Sequence, residues 1–279
     1  MRGGKSQMKA KVILYGMGRM NKMAARLLTE KGIEIVGAIY RADNPTEVLS
    51  KEADIVIVAV GSDLPTMFPI YKECLESGKN VATIGESSSY SWREHPKLTG
   101  ELDSIAKKNG VTLTGTGAQD FGIVHLGVLM SSACHKIDEI IYRNCFDPTM
   151  FGKETLATLT QSPSIYITFW ENVASALNLN IIDIAESINA DGTILDIKTK
   201  EGIRMLGEYK LIVGKEFKAW EIKGQPNLSV KVDGLGSPVV TSAQTINRLS
   251  HIIEAPAGYV TIEKLPMAKY QGKIVNENY

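Results

Sequence analysis

The chain has 279 residues, 44% of them hydrophobic, and at about 150 residues per domain this length predicts two domains that fold without disulfides or structural metal. Its 31 basic and 31 acidic side chains give a formal net charge of +0, so no global field would attract nucleic acid or an anionic membrane surface. The three cysteines (Cys74, Cys134 and Cys145) form no CxxC pair, which predicts reduced thiols in a cytoplasmic protein and no metal site. Residues 1–8 are predicted to be a leader that is not a secretion signal, and no apolar run is long enough for a membrane helix.

Between residues 10 and 116, short apolar runs alternate with segments of helical periodicity. The predicted strands cover 10–15, 33–40, 54–60, 80–85 and 111–116, and the predicted helices cover 18–31, 65–77 and 96–109. Continuous apolar strands separated by helices are typical of right-handed βαβ units, in which helices cover both faces of a parallel sheet. We therefore predict a dinucleotide-binding domain over residues 9–134, an α/β unit with a Rossmann-type doubly wound parallel sheet.

The pattern changes near residue 135, where strand-like segments follow one another through turns that contain Gly and Asn. The predicted strands cover 136–144, 193–200, 209–213, 216–223 and 228–232, and the predicted helices cover 165–179 and 241–254. These segments predict a second, smaller α+β domain over 135–240, followed by a C-terminal helix and tail (241–279) that return to the first domain. We expect the second domain to close a substrate pocket and to provide the interface of a homodimer or higher oligomer.

A glycine-containing turn joins the first predicted strand to the first predicted helix, where a dinucleotide-binding fold needs glycine. Gly16 permits the tight turn, and Gly18 lets the backbone approach a pyrophosphate. The N–H groups at the start of the helix, at Arg19 and Met20, would face the phosphates. Asn21 stands at the third glycine position, where it would loosen helix–strand packing slightly. The turn predicts NAD(P) binding, and the alternative is a plain glycine turn in another α/β domain.

The end of the second predicted strand bears on which nicotinamide cofactor binds. An NAD-selective site usually places an acidic residue there, which bonds the ribose 2′-hydroxyl. This chain has Tyr40 and Arg41 at that point, with Asp43 further out. Arg41 could pair with a 2′-phosphate, and either residue could stack on adenine. The sequence therefore favours NADP over NAD, and the alternative is a solvated loop arginine.

In an open parallel sheet the ligand lies beyond the carboxyl ends of the strands. Three predicted loops end there, at 60–63, 84–92 and 115–122. These loops supply the remaining predicted contacts. The residues predicted to contact the cofactor are Val60, Gly61, Ser62, Gly85 and Gly117, and those predicted to contact the substrate are Trp92, Gln119 and Asp120.

Glu86 is the one carboxylate of the middle loop, which also carries Tyr90. In a dehydrogenase that acts on an amine, such a carboxylate can hold the substrate ammonium, accept protons or activate water. We predict Glu86 and Tyr90 as catalytic residues. The alternatives are that Glu86 caps a helix or pairs with Arg93, and that Tyr90 and Trp92 pack in a core or an interface. His125 lies in an apolar helical pattern and is predicted to be a packed helix histidine.

Several motifs together resemble one family of enzymes. They are the turn at 16–20, the segments 83–92 and 108–117, and the C-terminal segments 241–247 and 255–259. In these segments the chain resembles the 2,4-diaminopentanoate dehydrogenase family, whose relatives include native NAD(P)-dependent amine dehydrogenases and, more distantly, dihydrodipicolinate reductases. The similarity is scattered over most of the chain and is densest over residues 8–130.

The resemblance implies reversible oxidative deamination of a small amine or diamino acid, with Glu86 as the catalytic carboxylate. The chain departs from the family pattern at Ser87, where relatives often have a second acidic residue, and at Gln119–Asp120. One alternative is therefore an imine or cyclic-imine reductase in which Tyr90 or Asp120 donates the proton. Another is a non-catalytic NADP(H)-binding sensor. Nucleic-acid binding is not predicted, because lysines and arginines are dispersed and no recognition motif is present.

Overall fold

The computed structural model describes residues 10–150, 164–189 and 192–272, so the predicted leader at 1–8 lies outside the described residues. The chain divides into two compact units, the first made of residues up to 117 together with those from 238 onward, and the second of Ala118–Ser237. Among the described helices, none combines the length and the apolar character needed to cross a membrane.

The first unit is built on a parallel sheet of six strands. They are β1 (Lys11–Tyr15), β2 (Glu34–Ile39), β3 (Ile55–Val58), β4 (Asn80–Thr83), β5 (Thr112–Gly115) and the late strand β12 (Gly258–Tyr259). Their order is β12-β5-β4-β3-β1-β2, and every neighbouring pair is parallel. Because β2 and β3 lie on opposite sides of β1, the chain changes direction across the sheet between β1 and β3. This is the topological switch point where doubly wound folds bind ligands.

Helices cover both faces of this sheet. They are α1 (Arg19–Lys31), α2 (Pro45–Leu49), α3 (Leu64–Glu76), α4 (Pro96–Asn109) and the C-terminal α7 (Pro238–Ile253). Alternation along β1 sends Val12 and Leu14 towards a core that includes Leu28 of α1 and Leu249 of α7, and sends Ile13 towards the opposite core formed with α3 and α4. The predicted fold class is confirmed, including the return of the C-terminal helix to the first unit.

The second unit contains a six-stranded mixed sheet. Its strands are β6 (Lys136–Phe146), β7 (Ile181–Asn189), β8 (Gly192–Thr199), β9 (Arg204–Leu211), β10 (Phe217–Gln225) and β11 (Leu228–Val232). Their order is β11-β10-β6-β9-β8-β7, with β6 and β9 parallel and the other pairs antiparallel. One face packs against α5, which runs as a π-helical turn Asp120–His125 and an α-helical turn Leu126–Ser131, and against α6 (Ser164–Ala176).

The boundary between the units differs from the one predicted after residue 134. The segment that contains α5 belongs to the second unit because it is fixed to the second sheet. The indole nitrogen of Trp220 donates a hydrogen bond of 2.9 Å to the carbonyl oxygen of Gly122. A Cβ on Gly127 would lie 2.8 Å from the same indole ring. Gln119 and Asp120, which the predicted boundary placed in the dinucleotide-binding domain, are therefore part of the second unit.

Candidate functional site

The loops that follow β1 and β3 touch at the switch point, and Gly16 makes this contact possible. Its φ is +84°, and a Cβ there would lie 2.6 Å from Cγ2 of Val60 and 2.8 Å from the carbonyl oxygen of Ala59. The N–H of Ala59 also donates to the carbonyl oxygen of Tyr15 over 3.0 Å. Only glycine fits this position without strain, because L side chains avoid positive φ and no space is left for one.

Gly18 has a different role, since nothing lies within 4 Å of where its Cβ would be. It is the N-cap of α1, offers no side-chain cap, and no acidic residue occupies the first turn of that helix. By contrast, the start of α3 is capped by Asp63, which accepts a 3.0 Å hydrogen bond from the N–H of Thr66. The open approach and the uncapped N-terminus of α1 fit the pyrophosphate of a dinucleotide, as the glycine pattern predicts.

The side chain of Asn21 is engaged by the fold. Its side chain is 1% exposed, and Nδ2 donates to the carbonyl oxygens of Tyr15 at 2.9 Å and Ile57 at 3.1 Å. The amide thus ties α1 to the ends of β1 and β3. The predicted loosening of helix–strand packing is therefore not observed, and the predicted contact of Asn21 with a cofactor stays a prediction.

Replacing Asn21 with alanine is expected to lower the free energy of unfolding by about 1–3 kcal/mol, because two buried carbonyl groups lose a donor. Urea denaturation measures the change, with Lys22→Ala on the exposed side of the same helix as the control, expected within about 0.5 kcal/mol of the wild type. An Asn21→Ala protein as stable as the wild type would show that the two hydrogen bonds contribute nothing.

The loop after β4 is held by buried hydroxyl groups. The phenol oxygen of Tyr71 lies 2.8 Å from Oγ1 of Thr83 and 3.0 Å from Oγ of Ser88, within hydrogen-bond distance of both. Ser87 donates to the carbonyl oxygen of Ser62 in the loop after β3. Burial raises the pKa of Tyr71 to about 12, so its phenol stays protonated and remains a hydrogen-bonding group. These contacts fix the loop to the sheet and to its neighbouring loop.

Glu86 begins the single helical turn Glu86–Ser89 in this loop and is partly buried. Its carboxylate makes no hydrogen bond or ion pair with any group of the first unit that the structure describes, so neither the helix cap nor the pair with Arg93 is formed. Its charge lies close enough to Tyr71 to contribute to the raised pKa of that phenol. A turn held by buried hydrogen bonds therefore carries a carboxylate that no described group of the first unit engages.

Trp92, at the end of this loop, is accounted for by packing. Its ring meets that of Tyr259 edge-on, with centroids 5.9 Å apart. Tyr259 in turn donates to the carbonyl oxygen of Ser88 over 2.5 Å and lies 3.1 Å from Oγ of Ser91. The packing alternative is thus favoured for Trp92 over substrate contact. The catalytic role of the partly buried Tyr90 stays a prediction.

The other predicted cofactor glycines lie at the same sheet edge. A Cβ on Gly85 would be 2.9 Å from the carbonyl oxygen of Gly61, so the loops after β3 and β4 also approach closely. Gly117 has φ +111° and ends the first unit after β5. The structure thus brings Gly16, Val60, Gly61 and Gly85 together, and their contacts with a cofactor remain predictions.

Tyr40 and Arg41 follow β2 in an exposed turn. The N–H of Tyr40 donates to Oδ2 of Asp43 over 2.8 Å, and the N–H of Asp43 donates back to the carbonyl oxygen of Tyr40 over 3.1 Å. The carboxylate of Asp43 therefore accepts a hydrogen bond within the turn itself. Arg41 is exposed and makes no hydrogen bond or ion pair with the described part of the first unit.

In the second unit, the π-helical turn brings Asp120 and His125 to the same side of the helix. Oδ1 of the fully buried Asp120 lies 3.2 Å from Nε2 of His125, which is 8% exposed. The histidine is buried, as predicted, but beside a carboxylate rather than among apolar side chains only. Gln119, also predicted to bind substrate, is 8% exposed. No group of three metal-ligating side chains occurs within the described ranges.

Sequence reasoning missed Lys218 on β10. Its side chain is 5% exposed, and burial lowers its pKa to about 8. A signal was present, because period-two alternation along the predicted strand puts Lys218 on the same face as Trp220 and Ile222.

The known proteins to which the chain is similar are dehydrogenases and reductases. No family model matches the chain. It is 31% identical over 170 residues to the 2,4-diaminopentanoate dehydrogenase of Acetoanaerobium sticklandii, covering 52% of this chain and 48% of that protein. It is 30% identical over 135 residues to the 4-hydroxy-tetrahydrodipicolinate reductase of Staphylococcus aureus, covering 46% and 52%. The chain thus spans about half the length of the curated relatives that it matches.

Among solved structures, the amine dehydrogenase of Mycobacterium smegmatis matches with a TM-score of 0.86 and 26% identity, covering 96% of this chain and 99% of that one. GenD2 of gentamicin A biosynthesis, solved in complex with NAD, matches at a TM-score of 0.58 and 15% identity, covering 84% and 74%, which shows the shared fold alone. The fold is thus that of two-domain dehydrogenases. Within this class, the predicted resemblance to the 2,4-diaminopentanoate dehydrogenase and native amine dehydrogenase family is confirmed.

Proposed function

We propose that the protein is an NAD(P)-dependent oxidoreductase that acts on the CH–NH₂ group of a small amine or diamino acid by reversible oxidative deamination. The observation that carries the proposal is the available carboxylate of Glu86, held on a rigid turn next to the switch point of the sheet. The similarity to a 2,4-diaminopentanoate dehydrogenase and to an amine dehydrogenase supports the choice of amine chemistry.

In this proposal the first unit supplies binding, orientation and proton transfer. The uncapped start of α1 and the backbone at Gly18 hold the pyrophosphate. The bound nicotinamide supplies a hydride acceptor. Glu86 holds the substrate ammonium, accepts its proton, and orients the water that attacks the oxidised carbon. Most of the rate enhancement would come from positioning, to which the hydroxyl contacts around Ser87 and Ser88 contribute by fixing the turn.

A substrate panel tests the proposal. The purified chain is incubated with short amines and diamino acids and either oxidised cofactor, and reduced cofactor is followed by absorbance. Amine-dependent reduction supports oxidative deamination. Turnover confined to cyclic imines would favour the imine reductase in which Tyr90 or Asp120 donates the proton. Tight NADPH binding without turnover on either group would contradict both enzymatic proposals and favour a sensor.

We also propose that NADP is preferred, because Arg41 is available and the neighbouring carboxylate of Asp43 is used by its own turn. Arg41→Ser is expected to weaken NADPH binding about 10-fold or more and to change NADH binding less than about 3-fold, since only NADPH offers a 2′-phosphate to the guanidinium. Fluorescence titration with both cofactors measures the two affinities. The control is Arg26→Ser, which changes an exposed arginine of α1. Equal losses for the two cofactors, or a wild-type preference for NADH, would overturn the assignment.

A cytoplasmic location and assembly as a homodimer or higher oligomer stay predictions from the sequence. Balanced charge and unpaired cysteines support the first. Size-exclusion chromatography with light scattering tests the second.

A further inference from the structure

The turn that carries Glu86 is fixed through its third residue, Ser88, which is fully buried. Two tyrosines from distant parts of the chain converge on this serine. Tyr71 of α3 lies 17 positions earlier, and its phenol oxygen is 3.0 Å from Oγ of Ser88. Tyr259 of β12 lies 171 positions later, and its phenol donates to the carbonyl oxygen of Ser88 over 2.5 Å. One residue of the turn is thus held through both its side chain and its backbone.

Each of the two tyrosines is itself anchored within the first unit. The phenol oxygen of Tyr71 also lies 2.8 Å from Oγ1 of Thr83 at the end of β4, and the same Oγ1 accepts the N–H of Gly85 over 3.1 Å. The backbone N–H of Tyr259 donates to Oδ1 of Asp103 on α4 over 2.9 Å. The tyrosines therefore connect the turn to α3 and β4 on one side, and to β12 and α4 on the other.

The hydroxyl groups of Tyr71 and Tyr259, rather than their rings, make these connections. Both residues are at most 4% exposed, and phenylalanine would fill the same apolar space without burying a polar group. Burial raises the pKa of both phenols, so each stays protonated at neutral pH and keeps its donor. A buried hydroxyl is costly unless it has a partner, and the partner that the two phenols share lies in the turn that carries Glu86.

The sheet edge next to the turn leaves Ser88 little room to move. A Cβ on Gly115 of β5 would lie 2.9 Å from the carbonyl oxygen of Ser88 and 2.8 Å from Cα of Ser89, so the turn rests directly on the backbone of β5. Glu86 is two residues away in the same short turn. A displacement of Ser88 would therefore move the carboxylate of Glu86 as well.

We propose that Tyr71 and Tyr259 are positioning residues, which act through Ser88 to orient the carboxylate of Glu86. The proposal rests on the proposed function, because it assigns the two tyrosines to the reaction in which Glu86 accepts a proton. It also gives the late strand β12 a part in the candidate active site. Both phenols act without contacting the substrate and without transferring a proton.

Removing either hydroxyl is expected to affect kcat more than KM. Attraction between a carboxylate and an ammonium falls slowly with distance, whereas proton transfer requires hydrogen-bond reach. Tyr71→Phe and Tyr259→Phe should therefore each lower kcat about 10-fold or more and change KM less than about 3-fold. Steady-state kinetics with an amine shown to be a substrate of the wild type measures both constants. Fluorescence titration should show that the affinity for NADPH changes less than about 3-fold in either variant.

Hydrogen–deuterium exchange of the full chain reports on the turn without any turnover. The N–H of Ser88 donates to the carbonyl oxygen of Gly85 over 3.1 Å, and a loosened turn exposes this amide to exchange. Peptides that cover residues 84–91 should exchange at least about 10-fold faster in both phenylalanine variants than in the wild type. Peptides that cover residues 19–31 should exchange at the wild-type rate.

Two further variants complete the test. Ser88→Ala keeps Tyr71 but removes the hydroxyl that its phenol meets, so it should reproduce the effects on kcat and exchange even if Tyr71→Phe fails to fold. Asn80→Ala is the control for a merely structural effect. Asn80 lies at the opposite end of β4, where Nδ2 donates to the carbonyl oxygen of Asp54 over 2.8 Å and Oδ1 accepts the N–H of Thr112 over 2.9 Å. This variant should unfold at lower urea concentration and retain the wild-type kcat.

A wild-type kcat in Tyr71→Phe or in Tyr259→Phe overturns the role of that tyrosine, and unchanged exchange over 84–91 does the same. An equal fall of kcat in Asn80→Ala overturns the whole proposal, because loss of stability alone would then explain the effect. If the wild type oxidises no amine with either cofactor, the proposed function is contradicted, whereas exchange over 84–91 still decides whether the two phenols hold the turn.

Discussion

Glu86→Gln is expected to lower kcat/KM for amine oxidation by about 10²- to 10⁴-fold while leaving the fold intact. Glutamine keeps the size and hydrogen-bonding capacity of the side chain but can neither balance a substrate ammonium nor accept its proton. The fold should not change, because Glu86 has no partner among the described groups of the first unit and its turn is held by neighbouring serines. Steady-state kinetics with an amine shown to be a substrate of the wild type measures the effect.

The neighbouring Glu94→Gln is a matched control, because Glu94 is an exposed carboxylate further along the same connection. It should retain nearly full activity. Calorimetric titration of reduced cofactor should give similar affinities for Glu86→Gln and the wild type. If Glu86→Gln retained near-full turnover, the assignment of the catalytic carboxylate would be wrong.

The first unit could be predicted closely because its local signals agree with one another. Continuous apolar strands, helical periodicity and the glycine turn each indicated the same doubly wound sheet, and the strands β1 to β5 lie where they were expected. The role of Asn21 could not be predicted. Its two acceptors belong to residues 6 and 36 positions away, and their placement depends on how β1, β3 and α1 pack.

The second unit was less predictable because contacts between residues far apart in sequence determine where the unit and its strands begin and end. The segment that contains α5 is apolar enough to suit either unit, and its bond from Trp220, 98 residues further along, assigns it to the second. The strand β7 was not predicted, because it lies at the sheet edge and exposes Ile182 and Ile188 to solvent. The strand β9 begins at Arg204, before the predicted start at residue 209. Arg204 is charged and was therefore not assigned to a strand, but in the structure it forms an ion pair with Asp196 of the neighbouring strand β8.

For the candidate site, the sequence indicated which loops carry the residues but not which hydrogen-bond partners the side chains have. It predicted that the loops after β3, β4 and β5 end at one edge of the sheet, which follows from parallel topology. It could not indicate which polar side chains are committed to the fold. The serines of the Glu86 loop are anchors, whereas Glu86 is available. Lys218 was not singled out from the sequence, because burial of a lysine is rare in the absence of a partner.

Gly16→Ala is expected to lower the free energy of unfolding by about 2–4 kcal/mol, since alanine is strained at positive φ and its Cβ would meet the Ala59 carbonyl oxygen and Val60. The loop after β1 would have to shift, so NADPH binding should weaken as well. Urea denaturation and fluorescence titration measure the two effects. This variant alone cannot separate loss of the fold from loss of the phosphate site.

Gly18→Ala separates them. Its backbone has φ −77° and its Cβ would meet nothing within 4 Å, so the free energy of unfolding should stay within about 0.5 kcal/mol of the wild type. If the backbone at Gly18 approaches the pyrophosphate, the added methyl group occupies that space, and NADPH binding should weaken about 10-fold or more. A Gly18→Ala protein that is stable and binds NADPH like the wild type would show that the pyrophosphate does not contact this turn. The proposed cofactor site would then be wrong although the fold is right.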